Sequence, residues 1–211
     1  MRTTEELVAA LSREAAPTEP APHPFALSVR WMAAAAFYLA LSLIYSGLRP
    51  DLLLKLHEPW FAAEISGLVA IFIATSLSAA LLAFPDLHQM RRVALAPVFL
   101  LAVFMLALVF AWQGTGSATL LPIHTYECTF CLVLVGVMPA AWYFLGIRKL
   151  ASTHYRWAGS IVLLSALSIG ALWLRLSEPN DSIVHVFQWH YLPMVGFGIA
   201  GMWLGKLILK W

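Results

Sequence analysis

Residues 93–112 read VALAPVFLLAVFMLALVFAW, twenty positions without a charge, an amide or a hydroxyl. A hydrocarbon layer about 30 Å thick needs roughly 20 helical residues to cross it. Such a segment has no use for water, and in lipid its backbone groups must bond within the segment, which selects helix over open strand. The stretch therefore reads as a membrane span, and it sets the scale for the rest of the chain.

The same reading gives five more spans, near Leu27–Leu48, Trp60–Phe84, Phe130–Ile147, Trp157–Leu174 and Tyr191–Leu209. Composition agrees: 61% of the 211 residues are hydrophobic and only 11% are charged, with a mean hydropathy of +0.80. A water-soluble domain carries about a quarter of its residues as charges, so that class is excluded. The expected fold is all-α, an integral membrane bundle of six transmembrane helices. Residues 1–26 form a leader and residues 27–211 the transmembrane domain.

Orientation follows from the flanking cations. Arg2, Arg13, Arg30, Arg91, Arg92, Arg148, Lys149, Arg156, Lys206 and Lys210 fall on one side, and Arg49, Lys55 and Arg175 on the other. Cytoplasmic flanks are enriched in Lys and Arg, so both termini are expected in the cytoplasm. Trp31, Trp60, Trp112, Trp157, Trp173, Trp189 and Trp211 lie near span ends, where amphipathic rings favour the interface. The acidic leader lacks the basic start of a cleavable signal, so the first span is expected to be retained.

Within the leader, Thr3 and Glu6 have the spacing of a capping box, which opens a short helix. Leu7, Val8 and Leu11 place an apolar stripe on that helix, and Pro17, Pro20, Pro22 and Pro24 follow as a stiff tether. A helix this short is marginal alone in water. It is either a solvated tail or a segment that orders in a partner's groove.

Two patterns inside the spans have plain explanations. Gly196, Gly198 and Gly201 match G-x-G-x-x-G, but a dinucleotide site needs a preceding strand and a βαβ unit. Gly201 and Gly205 also form G-x-x-x-G, and close helix packing accounts for them. Pro139 and Pro193 are expected to kink their helices. Glu64, the one acid inside a span, is expected to reach back to the outer interface, and Ser42, Ser76, Ser78, Ser165 and Ser168 to bond their own backbones.

The chemistry gathers on the side with few cations. The stretch HTYECTFC at 124–131 holds the only two cysteines of the chain. On a helix, His124, Cys128 and Cys131 share a face. His185 and His190, with Asp181 nearby, lie in the loop before the last span, and His57 and Glu58 in the first outer loop. Thiolate and imidazole suit zinc or copper. A C-x-x-C pair on an oxidising face also suits a reversible disulfide, and buried thiols also pack as small hydrophobes. All three readings stand on the residues alone.

Taken together, the leader TEELVAAL, the RPD at 49–51, CLVLVGVMP at 131–139, Arg148 and NDSIVHVFQWHYLP at 180–193 resemble the negative regulator of sigma F family. The order and spacing of the pieces carry the resemblance more than any one of them. It implies a bacterial inner (cytoplasmic) membrane anti-sigma factor and no enzyme. It would hold an extracytoplasmic-function sigma factor through cytoplasmic segments and release it when the outer face senses stress. No direct nucleic-acid contact is expected.

On that resemblance Thr4, Leu7, Val8, Leu11, Arg91, Arg92, Arg148 and Lys149 would meet the sigma factor. His124, Cys128, Cys131, His185, His190 and Asp181 would sense a metal ion, copper or zinc, or an oxidant. Cys131 matches the family's first periplasmic cysteine. The second, in the last periplasmic loop, is missing from LRLSEPNDS, while Cys128 is extra. That departure favours a mixed Cys/His shell over a cross-loop disulfide. A small metal or solute transporter, or a membrane thiol–disulfide oxidoreductase, would use some of the same residues.

Overall fold

The structure is a computed structural model describing residues 3–14, 21–85, 90–114, 126–150 and 152–210. Every regular element among them is helical: α1 (Thr4–Glu14), α2 (Pro24–Ser46), α3 (Leu52–Leu56), α4 (Pro59–Leu82), α5 (Arg91–Gly114), α6 (Tyr126–Arg148), α7 (Tyr155–Ser177), α8 (Ile183–Val186), a π turn (Phe187–Tyr191) and α9 (Leu192–Ile208). Six helices are long and apolar enough to cross a membrane, the last running from Ile183 to Ile208. The expected six spans are present, with ends shifted by a few residues. The fifth gains a turn at its outer end, and the sixth begins well before Tyr191 because residues 183–191 are helical rather than loop.

In the leader, Thr3 N–H donates to Glu6 Oε2 at 3.0 Å and Glu6 N–H to Thr3 Oγ1 at 3.3 Å. The capping box thus closes reciprocally and satisfies two donors that a helix start leaves free. Leu7, Val8 and Leu11 are all exposed. Pro24 begins α2 and Pro59 begins α4, first-turn positions where a missing N–H costs nothing.

Helix α7 is the centre of the bundle, packing on α2, α4, α6 and α9, and most of its residues are buried. Small residues let its neighbours approach. A Cβ on Gly201 would lie 2.9 Å from Ser160 Cα, and one on Gly159 would lie 2.7 Å from Gly205 N. These contacts are backbone and cannot yield, so G-x-x-x-G is a packing seam between α7 and α9. Around Gly196 there is open space.

Polar groups within the spans join helices more than the sequence suggests. Ser42 and Ser168 bond to carbonyls one turn back, as expected. Ser76 instead meets Ser165 at 2.9 Å and Tyr143 at 3.3 Å, linking α4, α7 and α6, and Ser78 donates to Ala94 O on α5. Trp31 also departs from expectation. It is buried against Tyr143, ring centroids 5.1 Å apart, because Gly146 leaves room for its indole.

Candidate functional site

The end of the bundle that holds α3 and the α7–α8 loop is organised by two buried guanidiniums. Arg49 follows the only positive-φ residue among those described, Gly47, which turns the chain out of α2. Its backbone N–H donates to Leu176 O at 2.9 Å, fixing it beside the end of α7. The Arg49 side chain grips Asp51 through Nε and Nη2 at 2.7 and 2.8 Å, and Asp181 through Nη1 and Nη2 at 2.9 and 3.0 Å. Such two-pronged pairs fix direction as well as charge. Lys55 adds a contact to Asp181 at 3.0 Å. The bonds from Arg49 and Lys55 outweigh partial burial and hold the Asp181 carboxyl well below the usual carboxylate range.

Arg175, deeper on α7, donates to Glu64 Oε2 at 2.9 Å and to Asn180 O at 2.8 Å. Tyr191 donates its hydroxyl to the other oxygen of Glu64. Glu64 therefore does not reach back to the interface. A cation one layer inside the bundle holds it there, since an unpaired buried carboxylate would be costly. Arg49 and Arg175 also lie over the Phe61 ring, at 5.2 and 5.1 Å from its centroid, where the ring's negative face attracts cations.

Beside this network four side chains from four elements converge. Cys128 comes from the first turn of α6, Glu178 from the end of α7, His185 from α8 and His190 from the π turn. Their ligand atoms all lie within 4.8 Å of one another. Cys128 Sγ is 3.6 Å from Glu178 Oε2 and 3.6 Å from His185 Nε2. Glu178 Oε1 is 3.4 Å from His185 Nε2, and Oε2 is 3.3 Å from His190 Nε2. His185 is 3% exposed and His190 0%, so these rings sit inside the protein rather than at an interface.

Among the described residues, neither ring nitrogen of His190 nor His185 Nδ1 makes a hydrogen bond. Buried polar atoms are nearly always bonded, so three such imidazole nitrogens in one place are unusual; Nε2 of His190 has Glu178 Oε2 3.3 Å away, but without the geometry of a hydrogen bond. Burial pushes the Glu178 carboxyl up, but the imidazoles of His190 and His185 and the Cys128 thiol outweigh it and hold it below its ordinary value. The local backbone explains the convergence. A π turn inserts one extra residue into a helix, which brings the rings of His185 and His190 to 5.2 Å although they are five apart.

Of the expected sensing residues, Cys128, His185 and His190 are brought together. Cys131 is not. Three residues on a helix turn through about 300° and rise about 4.5 Å, so Cys131 lies a turn along α6, where it lines a groove of about 460 Å³ with Tyr38, Leu134 and Trp173. Asp181 is drawn away by the two arginines and Lys55. His124 and the Arg91 side chain lie outside the described residues. Glu178 is not among the expected residues; its place at the end of α7, beside the loop that holds Asp181, is the signal the sequence offers for it. At the other end of the bundle, Arg92, Arg148 and Lys149 are exposed.

No curated protein and no solved structure matches the chain. One family model does, over residues 11–211, a range that takes in α2 to α9, both arginines and all four converging side chains. With nearly the whole chain matched, the protein belongs to the family described as negative regulator of sigma F (NrsF).

Proposed function

We propose that this protein is a membrane anti-sigma factor of the bacterial inner membrane, that its partner is an extracytoplasmic-function sigma factor, and that both termini are cytoplasmic. The observation that carries the partner side is α1. It is a capped helix whose apolar stripe of Leu7, Val8 and Leu11 is exposed. An amphipathic helix with an uncovered apolar face suits docking in a partner's groove. Thr4, Arg91, Arg92, Arg148 and Lys149 would supply polar contacts around that stripe.

On the outer side, Cys128, Glu178, His185 and His190 are the sensing residues of this reading, answering to a metal ion or an oxidant. The signal would tie α6 to the start of the last span, shift the later spans against each other and loosen the cytoplasmic grip. A tenfold change in sigma-factor affinity needs about 1.4 kcal/mol of differential binding.

Affinity capture of the intact protein from native membranes, beside a form lacking residues 2–16, tests the partner. A sigma factor recovered only with the intact leader is the expected result, and its absence from both samples would sink the reading. Transport or thiol oxidoreduction would then be examined, by metal uptake into vesicles and by turnover of a thiol substrate.

A further inference from the structure

We infer that Cys128 Sγ, Glu178, His185 Nε2 and His190 Nε2 form a tetrahedral site for one divalent ion of the zinc class, without Cys131 or Asp181. This rests on reading the cluster as the sensor, but it is a narrower statement about which ion binds and which atoms hold it.

The first argument is geometric. Zinc binds sulfur at about 2.3 Å and imidazole or carboxylate at about 2.0–2.2 Å, and the edges of such a tetrahedron measure about 3.3–3.8 Å. Glu178 Oε2 lies 3.6 Å from Cys128 Sγ and 3.3 Å from His190 Nε2, Cys128 Sγ lies 3.6 Å from His185 Nε2, and the ligand atoms of all four residues lie within 4.8 Å of one another. Three edges are already of tetrahedral length, and drawing the others in completes the site. With Oε2 of Glu178 on the ion, Oε1 is left free to accept hydrogen bonds.

The second argument is charge. At neutral pH, binding releases the thiol proton of Cys128 to solvent and forms a metal–sulfur bond, with no change in oxidation state. Thiolate and carboxylate then bring two negative charges, and neutral imidazoles bring none. A divalent ion makes the buried assembly neutral, whereas copper(I) would leave a net negative charge where desolvation is costly. One sulfur among nitrogen and oxygen donors also suits a borderline ion better than a soft one.

The third argument is an orphaned nitrogen. Buried polar atoms are nearly always bonded, yet Nε2 of His190 lies in the cluster without a hydrogen bond, 3.3 Å from Glu178 Oε2, and is free to take an ion.

The test uses the full chain in detergent micelles titrated with cobalt(II), whose visible spectrum distinguishes tetrahedral, thiolate-bound ions from free ones. The expected result is one cobalt per chain with a sulfur-to-metal band, displaced by zinc. Losing an outer-sphere partner alone changes metal affinity about 10- to 100-fold. Cys128→Ser should therefore abolish the sulfur band, and Glu178→Gln and His190→Gln should weaken binding at least tenfold. Cys131→Ser and Asp181→Asn should bind like the parent. Far-UV helicity checks that each variant is folded.

No tetrahedral spectrum in the parent, loss of binding in folded Cys131→Ser, or displacement of cobalt by copper(I) but not zinc would each overturn the inference. Sigma-factor capture is measured separately. Capture without metal binding removes the ion and leaves the anti-sigma reading; metal binding without capture does the reverse.

Discussion

Arg175 Nη2 lies 2.9 Å from Glu64 Oε2, with both side chains 3% exposed, and so joins the central helix α7 to α4 inside the bundle. Removing one partner of a buried pair strands the other charge and costs about 3–5 kcal/mol, whereas replacing both by well-packed apolar groups is often neutral. Glu64→Ala should therefore lower the unfolding midpoint in detergent steeply. The double variant Glu64→Leu/Arg175→Met should recover most of that loss. A double variant no better than the single would refute the buried-pair account.

The seam between α7 and α9 gives a second prediction. Gly201→Ala places a methyl against the backbone of Gly159 and Ser160, while Gly196→Ala meets nothing within 4 Å. Overpacking costs about 1–3 kcal/mol where neighbours can adjust, and rigid backbone adjusts little. Gly201→Ala should be destabilised by at least that range, and Gly196→Ala should be neutral or slightly stabilised, since alanine favours helix over glycine by about 1 kcal/mol. Equal effects at the two positions would contradict the seam.

The spans were legible in the sequence because a bilayer imposes length and apolarity residue by residue, as in 93–112. G-x-x-x-G was legible for the same local reason. The site was only half legible. Cys128, His185 and His190 announce themselves by type, but Glu178 joins them only because α7 ends beside α6. Cys131 leaves them because it sits one turn further along α6, about 4.5 Å down the helix axis. The RPD at 49–51 served as a marker of resemblance, while its role as clamp on Asp181 depends on a contact across 132 positions. Long-range pairing of this kind leaves no periodic trace.

Asp181 predicts a pH dependence. Its carboxyl is held below the ordinary value first by the Arg49 hydrogen bonds, then by Lys55, with Arg175 adding attraction and burial opposing. A depressed folded-state value means that the unfolded chain binds the proton more readily, so stability falls as pH falls. The contribution is complete above about pH 4, the ordinary aspartate value, and is lost progressively below it. Thermal unfolding followed downward from about pH 6 should show Asp181→Asn less stable than the parent at the upper end, with the gap starting to narrow below about pH 4 and still closing at about pH 3. A gap that persists unchanged into acid would show that the Asp181 charge is not responsible.

The leader supplies the last prediction. Thr3→Ala and Glu6→Ala each remove one arm of the capping box, and loss of an N-terminal cap costs about 1 kcal/mol. In a short exposed helix that must order to bind, that cost falls directly on the complex and should weaken sigma-factor capture about fivefold. Leu11→Asp, which changes the apolar stripe but leaves the cap intact, should reduce capture further. Stability of the transmembrane bundle should be unchanged in all three, because none of these residues is buried in it. If the cap variants capture as well as the parent while Leu11→Asp fails, the stripe binds without a preordered helix. If all three capture normally, α1 is not the docking element, and the exposed Arg92, Arg148 and Lys149 become the residues to substitute.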